Sequence, residues 1–324
     1  MRKIPAILTV LGVAALSLTG CGSVGASACA RPAAPTDGLT SQVEATGAMG
    51  TEPSVAISAP LHVDTASTWD AVEGEGTPIT ADDQLVVLDI ALYDGTSGEK
   101  LVATSFDGDM SRVFAMQQWI ETFPDLGELL ECATEGSRVY VTLPPGGVEE
   151  QAAASLQLDA TSSAVLVVDV GKVYLPRATG AAVFNDARNM PTVVRAPDGQ
   201  PGIIVPDADP PTDIVVQTLV RGDGEKLKDG DGARIHYTGL PWERGASVLA
   251  TSWGTSPVTA PVGAASLPGF QEALAGQTVG SQVLVVVPAD QVTADSVPNA
   301  PSGKALVYVI DILGIDAPTT TATQ

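Results

Sequence analysis

Glu128–Pro144 reads ELLECATEGSRVYVTLP, and Glu272–Pro288 reads EALAGQTVGSQVLVVVP. The second segment answers the first, and the match extends outward in both directions. Upstream, Glu52-Pro53-Ser54-Val55-Ala56-Ile57 answers Gln200-Pro201-Gly202-Ile203-Ile204-Val205, and Gly74-Glu75-Gly76 answers Gly222-Asp223-Gly224. Ala103-Thr104-Ser105-Phe106 answers Ala250-Thr251-Ser252-Trp253, and downstream Val168-Asp169-Val170 answers Ile310-Asp311-Ile312. Order is kept while the offset drifts slightly, as expected of an internal duplication with loops of changing length.

Period-two alternation marks strands at Leu85–Leu92, Val139–Leu143, Val165–Val170, Ala233–Tyr237, Val283–Val287 and Leu306–Ile312. One short helix is expected over Gly269–Ala275, with Pro268 near its first turn, Gly276 near its end, and Phe270, Ala273 and Leu274 on one face. The fold class is α+β: two copies of an antiparallel β-sheet wrapped on one short helix. The expected organisation is a leader (1–20), a flexible tether (21–40), a first copy (41–177), a linker (178–188), a second copy (189–316) and a polar tail (317–324).

Lys+Arg is 16 against Asp+Glu 38, a net charge of −22, which would repel phosphate backbones and argues against nucleic acid as a partner. Aromatics are 4% of the 324 residues, and there are two histidines, so little material exists for a zinc site or a histidine-dependent triad. Arg2-Lys3, the apolar run Ile4–Leu18 and Leu18-Thr19-Gly20-Cys21 resemble a bacterial lipoprotein leader, in which Cys21 is acylated. That implies export and anchoring at the outer face of the cell membrane; the competing reading is cleavage after Ala26-Ser27-Ala28. With Cys21 lipidated, Cys29 and Cys132 remain, and an even pair in an oxidising compartment suggests a disulfide, against the alternative of two free thiols.

Conventional catalytic signatures are missing. There is no GxSxG elbow, P-loop or HExxH. His62 and His236 lack metal-ligand neighbours, and His236 reads as structural. Ser252 and Thr251 show no base. Asp229-Gly230-Asp231-Gly232 looks like a calcium loop but lacks the later acidic ligand and suits a tight turn. Neither metal nor cofactor is expected.

The second copy carries Gly222-Asp223-Gly224, Ile235-His236-Tyr237-Thr238-Gly239, Leu249-Ala250-Thr251-Ser252, Pro268-Gly269-Phe270, Val279-Gly280 and Val285-Val286-Val287-Pro288. In order and spacing this resembles the FKBP-type peptidyl-prolyl isomerases over about Val215–Ile315. The tandem arrangement behind a lipobox is similar to FKBP-like lipoproteins of actinobacteria. The resemblance implies a proline pocket made by Tyr237 in the wall, Leu249 where the family usually has Phe, Leu267 with its backbone N–H toward the substrate carbonyl, Phe270 replacing the floor Trp, and Tyr308 on the last strand. Val258 lies near a further wall position. Ala250 stands at the family's Asp, and the family's later Tyr has no counterpart in Pro288-Ala289-Asp290-Gln291-Val292.

In the first copy Ile90 or Asp89 stands at Tyr237, Leu126 at Phe270, Leu166 at Tyr308, and Val102 and Ala103 at the Phe-Asp pair, so that copy is expected to be inactive toward prolines, with Trp119, Phe114 and Phe123 as candidate core fillers. The implied function is a lipid-anchored isomerase for proline-containing peptides or unfolded secreted proteins. The alternatives are a non-catalytic peptide-binding module on the same scaffold and a structural spacer.

Overall fold

A computed structural model of the chain describes residues 29–185, 188–263, 267–293, 297 and 299–317. The leader, Cys21, the Ala26–Ala28 site and the polar tail from 318 lie outside the described residues.

The strands and helices of the first half are β1 Val43–Thr46, β2 Ser54–Ile57, β3 Ser67–Val72, β4 Leu85–Asp94, β5 Lys100–Ala103, β6 Phe114–Ala115, α1 Met116–Thr122, α2 Leu126–Leu129, β7 Arg138–Leu143, α3 Glu150–Ser155 and β8 Ala164–Val173. The second half follows with β9 Ala181–Ala182, β10 Thr192–Arg195, β11 Pro201–Ile204, β12 Val215–Arg221, β13 Gly232–Pro241, β14 Ala250–Thr251, β15 Val258–Pro261, α4 Phe270–Leu274, β16 Gln282–Val287 and β17 Leu306–Ile315.

The two large sheets have the same strand order. The first runs β3-β7-β8-β4-β5 with β6 on β4; the second runs β12-β16-β17-β13-β14 with β15 on β13, and β9 added outside β12. Register agrees as well: Asp169 faces Arg138 and Asp89, and Asp311 faces Gln282 and His236. This makes Ile90, not Asp89, the counterpart of Tyr237.

A turn before each central strand repeats atom for atom. Thr134 Oγ1 donates to Gly74 O (2.7 Å) and Gly74 N to Ser137 Oγ (2.9 Å); Thr278 Oγ1 donates to Gly222 O (2.6 Å) and Gly222 N to Ser281 Oγ (3.0 Å). A Cβ on Gly74 or Gly222 would collide with the carbonyl oxygen of Glu135 or Val279, so both positions need glycine.

Four features differ from the sequence expectation. First, the central strands do not alternate between core and water: every residue of β7 and β16 is buried. The reason is a second layer. The hairpins β1-β2 and β10-β11 lie on the outer faces, where Val43, Trp69, Tyr140 and Val167 form one core and Val205, Trp242, Leu284 and Val307 another. Second, the first half holds three helices rather than one, because α1 and α3 fill connections that are longer or differently built, with Met116, Ala152 and Leu156 packing on the inner core.

Third, the described part of the expected tether is held, not free. Cys29 is disulfide-bonded to Cys132, Arg31 donates to Asp70 (3.0 Å) and to the carbonyl oxygens of Leu129 and Glu131, and Leu39 is buried. Fourth, the end of the expected first copy and the expected linker join the second sheet: Leu175 N bonds Leu313 O, Thr179 N bonds Gly280 O, and β9 pairs β12. Where the halves meet, Tyr174 is buried with Leu85 and Leu313, donates its hydroxyl to Asp316 (2.9 Å), and lies beneath the Arg234 guanidinium.

Candidate functional site

Tyr237 on β13, Phe270 at the start of α4 and Tyr308 on β17 come together on the inner face of the second sheet. The Tyr237–Phe270 rings meet edge-to-face at 5.7 Å, Phe270–Tyr308 edge-to-face at 5.2 Å, and Tyr237–Tyr308 at 6.4 Å and a tilt of 57°. Such pairs contribute about 0.5–1.5 kcal/mol each beyond the area they bury. Phe270 and Tyr308 are fully buried; Tyr237, Leu249 and Leu267 are half-buried and pack on the same cluster. All five residues singled out by the family resemblance are therefore contiguous. Val258 pairs with Ile235, two residues before Tyr237, and its side chain is exposed.

Local sequence places the ring of Phe270. Gly269 caps α4 in the left-handed conformation (φ 81°), and a Cβ there would fall 2.6 Å from Val287 Cγ2 and 3.0 Å from Val285 Cγ2. Only glycine lets the chain turn this tightly against β16. Ala273 and Leu274 then anchor the helix in the core.

Behind Tyr237 lies a set of contacts that the sequence reading missed. Ser252 Oγ accepts the Tyr237 backbone N–H (2.9 Å) and lies 2.9 Å from His236 Nδ1, while Ser252 N donates to Tyr237 O (3.0 Å). The expectation that Ser252 has no base nearby is thus corrected: a histidine adjoins it. The pair is still structural. Both side chains are buried, the imidazole stacks on Trp253 at 4.3 Å, and burial lowers its pKa to about 4, far too weak a base to activate a hydroxyl near neutral pH. With the N–H of Tyr237 filling an acceptor site, the hydroxyl is free to donate to Nδ1.

The first half repeats this clamp with other chemistry. Thr104 Oγ1 accepts from Ile90 N (3.1 Å) and donates to Asp89 Oδ1 (2.6 Å). Thr104 therefore corresponds to Ser252, Val102 to Ala250 and Leu101 to Leu249, one residue off the pairing read from the letters. The hydroxyl that receives the strand N–H sets the alignment, and Ser and Thr are interchangeable in that role. The pocket positions here are Ile90, Leu126 and Leu166, all aliphatic and all buried in the inner core. Phe123 is buried in that core and Trp119 packs partly on it, whereas Phe114 stays exposed and meets Trp119 edge-to-face.

A cavity of 640 Å³ lies elsewhere, between Lys172, Glu225, Asp231, Thr259 and Asp316, and touches none of the five residues. Its lining carries the charged side chains Lys172, Glu225, Asp231 and Asp316, unlike an apolar binding pocket.

Residues 223–313 match the family model for the FKBP-type peptidyl-prolyl cis-trans isomerase. The chain is similar to the "Probable FK506-binding protein" of Corynebacterium glutamicum, 26% identical over 115 residues that cover 35% of this chain and 97% of the relative. It is similar to the "FK506-binding protein" of Streptomyces anulatus, 26% identical over 122 residues covering 36% and 97%. Among solved structures, the three FKBP domains of wheat FKBP73 align at TM-score 0.30 and 12% identity over 78% of this chain and 94% of that one. FkpA of Escherichia coli aligns at TM-score 0.29 and 21% identity, over 40% and 53%.

Proposed function

We propose that the second half of the chain, whose residues 223–313 match the FKBP-type peptidyl-prolyl isomerase model, is a member of that family and catalyses rotation about X–Pro bonds at the Tyr237–Phe270–Tyr308 cluster. The observation that carries the reading is this aromatic trio on the inner sheet face, within the family-matched residues and rimmed by half-buried Leu249 and Leu267. The reaction needs no acid, base or metal. The barrier, about 18–20 kcal/mol for an amide, is the loss of resonance in the twisted form. That form carries less charge on its oxygen, so a dry aromatic wall favours it over the planar ground state.

The first half is proposed to be a degenerate copy of the same domain without catalytic activity, since Ile90, Leu126 and Leu166 replace the aromatic set. Cys21 is proposed to carry the lipid that holds the protein outside the membrane, with proline-containing segments of exported proteins as substrates. A second reading, peptide binding without catalysis, is favoured by one observation: Ala250, opposite Gly239, has a methyl where the resemblance places the family's Asp.

The test is a proline-peptide isomerisation assay on the full chain. We expect acceleration above buffer, at least a tenfold fall for Phe270→Leu, and no change for Leu126→Ala. A buffer rate with measurable peptide binding would leave only the second reading. Mass spectrometry of the membrane-bound protein tests the anchor: an unmodified Cys21 or a different mature N-terminus would refute it.

A further inference from the structure

Tyr308 is 1% exposed, and its hydroxyl has no hydrogen-bond partner among the described residues. An unpartnered buried hydroxyl is destabilising, and phenylalanine would fill the same space without that cost. A native structure that keeps such a group invites a functional account of it.

Its surroundings are shaped around the ring. Tyr308 stands directly opposite Gly239, and Gly239 directly opposite Ala250, so the three form a row across β17, β13 and β14. The equivalent row in the first half is Leu166, Leu92 and Val102, aliphatic throughout. A Cβ at Gly239 would collide with Cε1 of the Tyr308 ring, so the small residue is what lets the phenol lie there. Phe270 meets the ring edge-on, and half-buried Tyr237 and Leu249 pack on the same cluster. The ring thus lies in the core against which the half-buried rim residues pack.

We propose that the Tyr308 hydroxyl is a hydrogen-bond donor to the substrate, taken up by the carbonyl on the C-terminal side of the bound proline when that ring displaces Tyr237 and Leu249 at the rim. The inference rests on the isomerase reading and adds a polar specificity contact to it. Burial, with a smaller contribution from Tyr237, pushes the phenol pKa upward, so it remains a donor at any working pH. The acceptor is not the oxygen of the rotating amide. A donor there would strengthen the planar, charge-separated form and oppose rotation. A carbonyl outside the rotating bond is held equally in ground and transition states, so the contact acts on KM and leaves kcat alone.

The test compares wild type with Tyr308→Phe in the full chain, by isomerisation kinetics, peptide titration and urea unfolding. The expected result is a five- to tenfold rise in KM and in peptide Kd, unchanged kcat, and stability equal to or above wild type. A peptide whose proline carbonyl is replaced by a methylene should bind both proteins alike. Unchanged KM and Kd in an active Tyr308→Phe protein overturns this inference alone, as does a loss confined to kcat. A wild type that neither binds nor turns over proline peptides overturns the isomerase reading and this inference together.

Discussion

Asp169 and Asp311 occupy the same place on the last strand of the two sheets, yet are neutralised in different ways. In the first half Arg138 grips Asp169 with two hydrogen bonds (2.6 and 2.7 Å), both side chains 3% exposed, and also reaches Gly47 O and Ala48 O in the tip of the β1-β2 hairpin. In the second half the arginine is replaced by Gln282. Among the described residues Asp311 receives only neutral donors, Gln282 Nε2 (2.7 Å) and the backbone N–H of Ala178 (2.8 Å), and burial pushes its carboxyl upward. The shared element is a buried acid that pins the chain entering its own half: the hairpin tip through Gly50 N in one, the connection from the first half through Ala178 N in the other. The lesson is that the position is architectural, and the charge state is adjustable around it.

That contrast is open to direct test. Arg138→Ala strands Asp169 uncompensated in the core and should cost about 3–5 kcal/mol, whereas Gln282→Ala removes one neutral donor and should cost about 1–3 kcal/mol; equal losses in urea melts would break the comparison. Next in size is the Cys29–Cys132 bridge, which closes a separation of 103 residues. Cys29→Ser should lower stability by about 2–4 kcal/mol, and the change should follow unfolding of the first half, read from Trp69 and Trp119 fluorescence in chains with the other tryptophans replaced.

His236, where the first half has Asp89, should give a pH signature. Its folded pKa of about 4 lies below the ordinary 6.5. The unfolded chain therefore takes up a proton between pH 6.5 and 4 that the native state refuses. This site's contribution is at its full value above pH 6.5 and declines as pH falls to about 4, by roughly 2–3 kcal/mol. His236→Gln should flatten that part of the stability–pH curve, and an unchanged slope would refute the assignment. The smallest effect concerns Gly239, which stands where the first half has Leu92. Gly239→Ala crowds the Tyr308 ring and should cost about 1–3 kcal/mol. Tyr308→Leu, which recreates the first-half residue, should relieve it in a double-mutant cycle; strict additivity would show that the two positions do not touch.

Most of the sheet was legible in the chain itself. The strand set and the short helix follow from local alternation; the trio Tyr237, Phe270 and Tyr308 was picked out by the family resemblance, and one half read against the other set it against Ile90, Leu126 and Leu166. What the letters missed has a common cause. Alternation tells which side chains share a face, not what lies over that face, so the burial of β7 and β16 on both sides stayed hidden until the hairpins were placed. Likewise the pairing of Thr104 with Ser252 is a matter of which hydroxyl meets a strand N–H, and similarity of neighbouring letters pointed one residue away. Arg31 looked like part of a polar tether because its partners, Asp70 and the carbonyls of Leu129 and Glu131, lie about 40 to 100 residues away.

By itself, then, the sequence determined that one architecture occurs twice, and that an aromatic set survives in the second copy where the first has aliphatics. Those are statements about residue types at repeating positions, and periodicity carries them. Only the tertiary structure decided that each sheet is covered on both faces, that Asp169 and Asp311 are neutralised by different partners, that His236 and Ser252 brace Tyr237, and that the Tyr308 hydroxyl has no hydrogen-bond partner among the described residues. Each of these depends on hydrogen bonds and ring contacts between residues that are neighbours in space, and burial sets their strength by removing the water that would otherwise compete.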